Sequence, residues 1–198
     1  MSTSKLSALV YNMRLEAPGV VSVEFRPATP DTVFPPHAAG SHIDLHLGNG
    51  LVRSYSLMNP ITDKQRYVVG VLKDRQSRGG SKYVHEKVRV GDVLDISVPR
   101  DNFPLEERAQ HSVLVAGGIG ITPMLAMAKT LTHWGKPIKL FYLTRDPEST
   151  AFLGELQDEA FAQYLVFHHD GGNPDTGFDL WPVLEKSGSL TGLQLYCC

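Results

Sequence analysis

Residues 113–123 read VLVAGGIGITP: an apolar run, a glycine-rich turn, and a proline that opens the next segment. Val113–Ala116 show no polar alternation, which marks a strand buried on both faces. The following TPMLAMAKTLTHWG (122–135) carries Leu125, Ala128 and Leu131 at helical spacing. Thr122 suits the N-cap of that helix, Pro123 its first position and Gly135 its stop. Strand, tight turn and helix in this order form the unit from which parallel sheets are wound. Gly117, Gly118 and Gly120 would let the backbone come close to a ligand. The helix N-terminus would then offer free N–H groups and a partial positive charge to a phosphate. The full dinucleotide fingerprint is not present, because Pro123 stands where a third glycine is expected. A tight structural turn is the competing reading.

Downstream the same grammar repeats. IKLFYLT (138–144) is a second buried strand and TAFLGELQDEAFAQ (150–163) a second helix. YLVFHH (164–169), the short helix DLWPVLEKSG (179–188) and LQLYCC (193–198) follow. Upstream the grammar is different. GVVSVEF (19–25), SHIDLHL (41–47), RYVVGVL (66–72) and DVLDISV (92–98) are short strands separated by turn signals, as in an antiparallel barrel or sandwich. Only GSKYVHEKV (80–88) reads as helix there, lying across the barrel end. The expected fold is therefore an N-terminal antiparallel β-barrel, residues 1–106, followed by a parallel α/β domain, residues 107–198. The change of grammar falls near 104–111.

Bulk properties narrow the function. The 198 residues are 42% hydrophobic and 20% charged, with a formal net charge of -2. That balance is globular and gives no electrostatic case for nucleic acid or for an anionic membrane. No apolar stretch approaches the roughly 20 residues that span a bilayer, and the N-terminus does not read as a secretory signal. Cys197 and Cys198 are the two cysteines of the chain, and adjacent cysteines make no disulfide framework. A cytoplasmic location is the expectation.

Among the eight histidines, His42 and His46 share a strand face without a third ligand, and His168 and His169 point to opposite faces. No metal site is expected. Asp158 and Glu159 read as a solvated helix face, and no serine stands in a G-x-S-x-G frame.

LVRSYSLMN (51–59) is harder to explain by packing alone. In an extended segment Arg53 and Tyr55 fall on one face, Ser54 and Ser56 on the other. A guanidinium beside an aromatic ring can bind a phosphate and stack a flat heterocycle. SRGGSKYVHE (77–86) adds Gly79, Gly80 and Ser81 at a helix start, a second phosphate-suited nest. In LTRDP (143–147), Arg145 could equally meet a phosphate or pack on adenine.

As an ordered set, RSYSL, RGGS, LVAGGIGITPML, YLTRDPESTAF, HHDGG and YCC resemble the ferredoxin–NADP reductase-like superfamily. More narrowly, the chain is similar to the FMN-containing reductases of Rieske oxygenases, the phthalate dioxygenase reductase and vanillate demethylase reductase group. The resemblance implies a flavoenzyme that takes hydride from NADH onto FMN and passes single electrons onward. FAD and NADPH are the less favoured cofactors. It implies that Arg53 and Ser81 hold the flavin phosphate with the Gly79–Gly80 backbone. Tyr55 would stack on the isoalloxazine ring, Ser56 would lie near N5, and Leu57 and Val71 would be further flavin contacts. Thr122 would lie where flavin and nicotinamide meet, with Cys198 near the nicotinamide. Gly118, Gly120 and Pro123 would shape the nucleotide loop, with Arg145 and Phe152 around adenosine. The partner would be a terminal oxygenase or a ferredoxin. Family members usually carry a 2Fe-2S domain needing four cysteines, for which this chain has no site. Their nucleotide domain continues past YCC, so the chain is expected to be C-terminally shortened. A stand-alone flavin or ferredoxin reductase and a non-catalytic binding remnant are the rival readings.

Overall fold

The computed structural model describes residues 5–157, 162–186 and 191–198. Its first half is an antiparallel sheet of β1 (Lys5–Ala17), β2 (Val20–Pro27), β3 (Ser41–His46), β4 (Val52–Ser56), β5 (Tyr67–Leu72), β6 (Val93–Ser97) and the two-residue β7 (Arg100–Asp101). The strands lie in the order β4-β3-β6-β1-β2-β5, and a bridge between Leu57 and Val69 brings the two ends together into a barrel. Alternation does the folding work. Ile43 and Leu45 point inward with no exposed surface, alongside Val23, Phe25, Val69 and Val71, while His42, Asp44 and His46 face outward. Helix α1 (Gly80–Lys87) closes one end with Val84. Tyr67 stacks on Phe34 at 4.3 Å between centroids.

The second half is a parallel sheet, β10-β9-β8-β11, made of β8 (His111–Gly117), β9 (Ile138–Thr144), β10 (Leu165–His169) and β11 (Leu193–Cys197). Helices α2 (Ile121–His133), α3 (Leu153–Leu156) and α4 (Trp181–Lys186) accompany it. The last barrel strand ends at Asp101 and the first parallel strand begins at His111. Nearly every residue of α2 from Ile121 to Leu131 is buried. A helix apolar all round must be covered on both sides. One side packs on β8 and β9, and the other meets Ala17, Val20, Ala39 and Met58 of the barrel, so one buried cluster runs across both halves beside the barrel's own core.

Three local expectations change. A 3-10 turn at Gly118–Gly120 precedes α2, so Gly120 takes the N-cap position and Thr122 and Pro123 lie inside the first turn. The Thr122 hydroxyl donates backward to the Ile119 carbonyl at 3.1 Å instead of capping. The helix expected over 150–163 begins only at Leu153, because Phe152 adopts a left-handed φ of 63°. Asp158 and Glu159 lie outside the described residues. Gly135, at φ 67°, does end α2. No described helix is long and apolar enough to cross a membrane.

Candidate functional site

Barrel and parallel sheet meet at one cavity of about 600 Å³. β4 contributes Arg53, Tyr55 and Ser56, and α1 contributes Ser81. The β8–α2 turn contributes Gly120, Thr122 and Pro123, and β11 brings Cys198. Eight of the residues expected from sequence thus converge, from positions up to 145 residues apart, and the volume lies in the usual range for a small-molecule site.

The phosphate-suited end is built by Arg53 and α1. The Arg53 side chain lies over Gly80, where an added Cβ would stand 2.5 Å from its Cγ. Its Nη1 donates to the Val52 carbonyl at 2.8 Å and its Nη2 reaches the Arg78 carbonyl at 3.5 Å. Among the described residues it has no carboxylate partner, so its charge is uncompensated. Gly79, at φ 95°, caps α1 and turns the chain into it. The N–H groups of the first helical turn have no intrahelical acceptor and add to the positive field. A guanidinium, a glycine that makes room for it, and a helix start suit a phosphate monoester.

The ring-suited end lies beside it. Tyr55 is half-buried, and burial raises its phenol above the ordinary value against the lowering effect of Arg53. Ser56 continues along β4 toward Thr122 and Cys198. Cys198 follows the end of β11: its N–H donates to the Val115 carbonyl at 3.0 Å, and its carbonyl accepts from Gly117 at 2.7 Å. Both cysteines are free and exposed, and both border a smaller neighbouring cavity of about 420 Å³ with Ser54, Ser56 and Pro123. The two Cys198 bonds continue the β8–β11 ladder one residue past Cys197. Burial pushes the Cys197 thiol up.

The remaining expected residues sit elsewhere. Leu57 and Val71 are fully buried inside the barrel, on the inward phase of their strands, and do not line the cavity. Gly118 is exposed at φ 52° with open space around it. Arg145 borders an adjoining cavity of about 630 Å³ with Lys73 and Arg75, and its Nε packs on Gly172. Phe152 has no exposed surface at all; its ring belongs to the shared core and offers adenosine no face.

Sequence reasoning missed several cavity residues, Gly70 and Ser77 among them. Gly70 lies on β5, where an added Cβ would stand 2.6 Å from Thr122 Cγ2 and 2.8 Å from Phe152 Cζ. A lone glycine inside a strand pattern signals such close approach. Ser77 also lines the cavity, four residues before Ser81.

The histidines bind locally: His169 Nδ1 pairs with Thr144 Oγ1 at 2.8 Å, and His168 Nε2 with the Thr176 carbonyl at 2.8 Å. Among the described residues no histidine, cysteine or carboxylate cluster could hold a metal.

No family model matches the chain. It is 45% identical over 166 residues to phthalate dioxygenase reductase of Burkholderia cepacia, covering 83% of this chain and 51% of that protein. It is 42% identical over 193 residues to vanillate O-demethylase oxidoreductase of Pseudomonas sp. (strain HR199 / DSM 7063), covering 98% and 60%. A solved phthalate dioxygenase reductase, described as a modular structure for electron transfer from pyridine nucleotides to 2Fe-2S, superposes with a TM-score of 0.93 at 39% identity, covering 98% of this chain and 60% of that one. The chain spans about half to three-fifths of the length of these relatives.

Proposed function

We propose that this chain, similar over 83–98% of its length to phthalate dioxygenase reductase and vanillate O-demethylase oxidoreductase, is a reductase of that kind, binding FMN in the barrel and NADH against the parallel sheet. In this reading it passes electrons on to an iron–sulfur partner of an oxygenase. The observation that carries the proposal is the single cavity where Arg53, Tyr55 and Ser56 of the barrel face Gly120, Thr122 and Cys198 of the sheet.

Bound FMN supplies the chemistry nicotinamide lacks, taking two electrons together and releasing them singly. The chain's own residues bind and orient. Arg53 and the first turn of α1 hold the phosphate, and the Tyr55 ring stacks one face of the flavin. Ser56 stands at the flavin edge, close to the pyridine nucleotide. Thr122 and Cys198 border the space left for the nicotinamide, and Gly120 lets the end of β11 close onto the β8–α2 turn beside it. The buried layer of Phe152, Met58 and Thr122 excludes water behind the meeting point. The adenosine end lies toward Arg145. A 2Fe-2S cluster takes four thiolates and this chain has two cysteines, so the electron acceptor's cluster is held outside residues 1–198.

The test is to purify the chain, record its visible spectrum with and without added FMN, identify released flavin by mass, and add NADH without oxygen. A yellow protein bleached by NADH and reoxidised by a one-electron acceptor is the expected result. A protein that takes up no flavin overturns the proposal, and one that holds flavin but is not bleached reduces it to binding alone.

A further inference from the structure

The barrel sets a second group of side chains beside the flavin edge. β3 and β4 pair His42 with Ser56 and Asp44 with Ser54, so these four side chains share the outward face of the wall. Arg100 of β7, paired with His42, joins them. Its Nη2 donates to both Asp44 oxygens at 2.7 Å and to His42 Nε2 at 3.2 Å. A guanidinium has donors only, so His42 Nε2 accepts, and the neutral ring carries its proton on Nδ1. Burial and the Arg100 charge hold the imidazole below its ordinary value, against the raising effect of Asp44 and Asp101, which keeps it neutral. Among the described residues the Nδ1–H has no acceptor.

His42 borders the cavity of about 420 Å³, which shares Ser54, Ser56, Pro123 and Cys198 with the larger cavity. Asn102 and Phe103 complete its wall. The Asn102 side-chain amide has no partner among the described residues. Phe103 is fixed: an added Cβ on Gly40 would overlap its carbonyl oxygen, and its ring meets Tyr196 edge-on at 5.7 Å between centroids. Among the described residues no lysine, arginine, aspartate or glutamate lines this cavity. Where the larger cavity offers an anion the bare charge of Arg53, this one offers neutral donors, an aromatic ring and a proline. That lining suits a flat, uncharged ring bearing carbonyl oxygens.

We propose that this cavity binds a quinone beside the flavin, with the His42 Nδ1–H and the Asn102 amide donating to its carbonyl oxygen, and that the chain reduces it directly. The proposal rests on the flavoprotein reading above and adds a small-molecule acceptor to it. Among flat carbonyl compounds, quinones accept the electron pair that NADH supplies. In one turnover NADH loses a hydride and becomes NAD+. The quinone gains two electrons and two protons, one proton formally from the hydride and one from solvent. Both C=O bonds become C–OH bonds, and the ring becomes aromatic.

The probe is duroquinone, tetramethyl-1,4-benzoquinone, whose fully substituted ring leaves no open position for addition of the Cys197 or Cys198 thiol. Equilibrium dialysis against the FMN-loaded chain without NADH reads binding, and NADH oxidation with duroquinone reads turnover. Ferricyanide, which takes electrons from the flavin without needing a carbonyl site, reads the flavin itself. His42→Ala and Asn102→Ala are each expected to weaken duroquinone roughly twofold to tenfold, the range for a neutral hydrogen bond, with ferricyanide reduction unchanged. Phe103→Ala should cost a similar factor through the lost ring contact. His42→Asn returns an N–H to the Nδ1 position and should recover most of the loss. The proposal is overturned if the three alanine variants bind duroquinone as the parent does, or if FMN displaces bound duroquinone, which would put it in the flavin's own cavity. Equal losses with both acceptors also overturn it, since the damage then lies at the flavin. A parent reoxidised by ferricyanide that binds no duroquinone overturns it and leaves the flavoprotein reading intact. A parent that takes up no flavin overturns both.

Discussion

The carbonyl oxygen of Cys198 lies 2.2 Å from where a Cβ on Gly120 would stand. The same oxygen accepts the Gly117 N–H at 2.7 Å, so the end of β11 is pinned into the β8–α2 turn. Two of the three glycines of the turn are thus required, for different reasons. Gly120 makes room for backbone, and Gly118 supplies a φ of 52° in open space. Gly117 would place a Cβ 3.6 Å from Cys198, an ordinary contact. Gly120→Ala is expected to cost about 2 kcal/mol or more, as backbone that cannot yield is overpacked. Gly118→Ala should cost about 1 kcal/mol through its left-handed conformation, and Gly117→Ala under about 0.5 kcal/mol. Urea unfolding of the three variants measures this order. Equal losses at Gly117 and Gly120 would refute the close-approach explanation.

The difference between these glycines marks where the sequence stopped being readable. Strand–turn–helix was visible in VLVAGGIGITP because burial on both faces removes polar alternation, and the barrel was visible because burial on one face preserves it. Thr122 misled because N-cap propensity is local, whereas the 3-10 turn that displaced it is set by contact with Cys198, 76 residues later in the chain. Leu57 and Val71 were assigned to the cavity by resemblance alone, although their inward phase was legible in the alternation of RYVVGVL. Phe152 was placed around adenosine by resemblance alone, and TAFLGEL, which reads as continuous helix, gives no sign of the break there. The positive φ of Phe152, which turns the ring inward, depends on the space that Gly70 leaves across the domain boundary.

Arg53 supplies charge that no carboxylate compensates, poised over Gly80. Arg53→Lys keeps the charge but loses the planar fork, and is expected to weaken FMN roughly tenfold; Arg53→Ala should weaken it further. Riboflavin binding should change little in either. Flavin retained after gel filtration, checked by absorbance, gives the comparison. Full flavin occupancy in Arg53→Ala would remove Arg53 from the phosphate site.

Asp44 sets a pH dependence. Burial pushes its carboxyl up from 3.8, but hydrogen bonds from Ser54, at 2.6 Å, and Arg100, at 2.7 Å, together with the Arg100 charge, outweigh burial and hold it low. A folded value below the unfolded one means the unfolded chain binds the proton more readily. The stabilisation is complete above the unfolded value and is lost as pH falls through the folded one. Asp44→Asn is expected to cost about 1 kcal/mol near pH 7, a discounted figure for a partly exposed pair, and progressively less as pH falls below the ordinary carboxylate range. Thermal midpoints of parent and variant across that range should converge on acidification. A constant gap would show that the loss is packing rather than charge.

Phe152 joins the two halves. It is fully buried at a φ of 63°, among α2, β9 and the barrel residue Met58, with its ring edge against Gly70. Truncating a buried phenylalanine costs about 3–5 kcal/mol, and a chain of this size loses about 2–4 °C per kcal/mol. Phe152→Ala should therefore unfold roughly 6–20 °C lower. Because one buried cluster spans both halves, tryptophan fluorescence, which reports Trp134 and Trp181 of the parallel-sheet half, and far-UV circular dichroism should fall together. A residue that instead contacted adenosine would raise KM for NADH and leave the midpoint in place. A variant with the parent's midpoint and a raised KM would return Phe152 to the nucleotide site; a lowered, coincident midpoint fixes it as the residue that seats the nucleotide half on the flavin half.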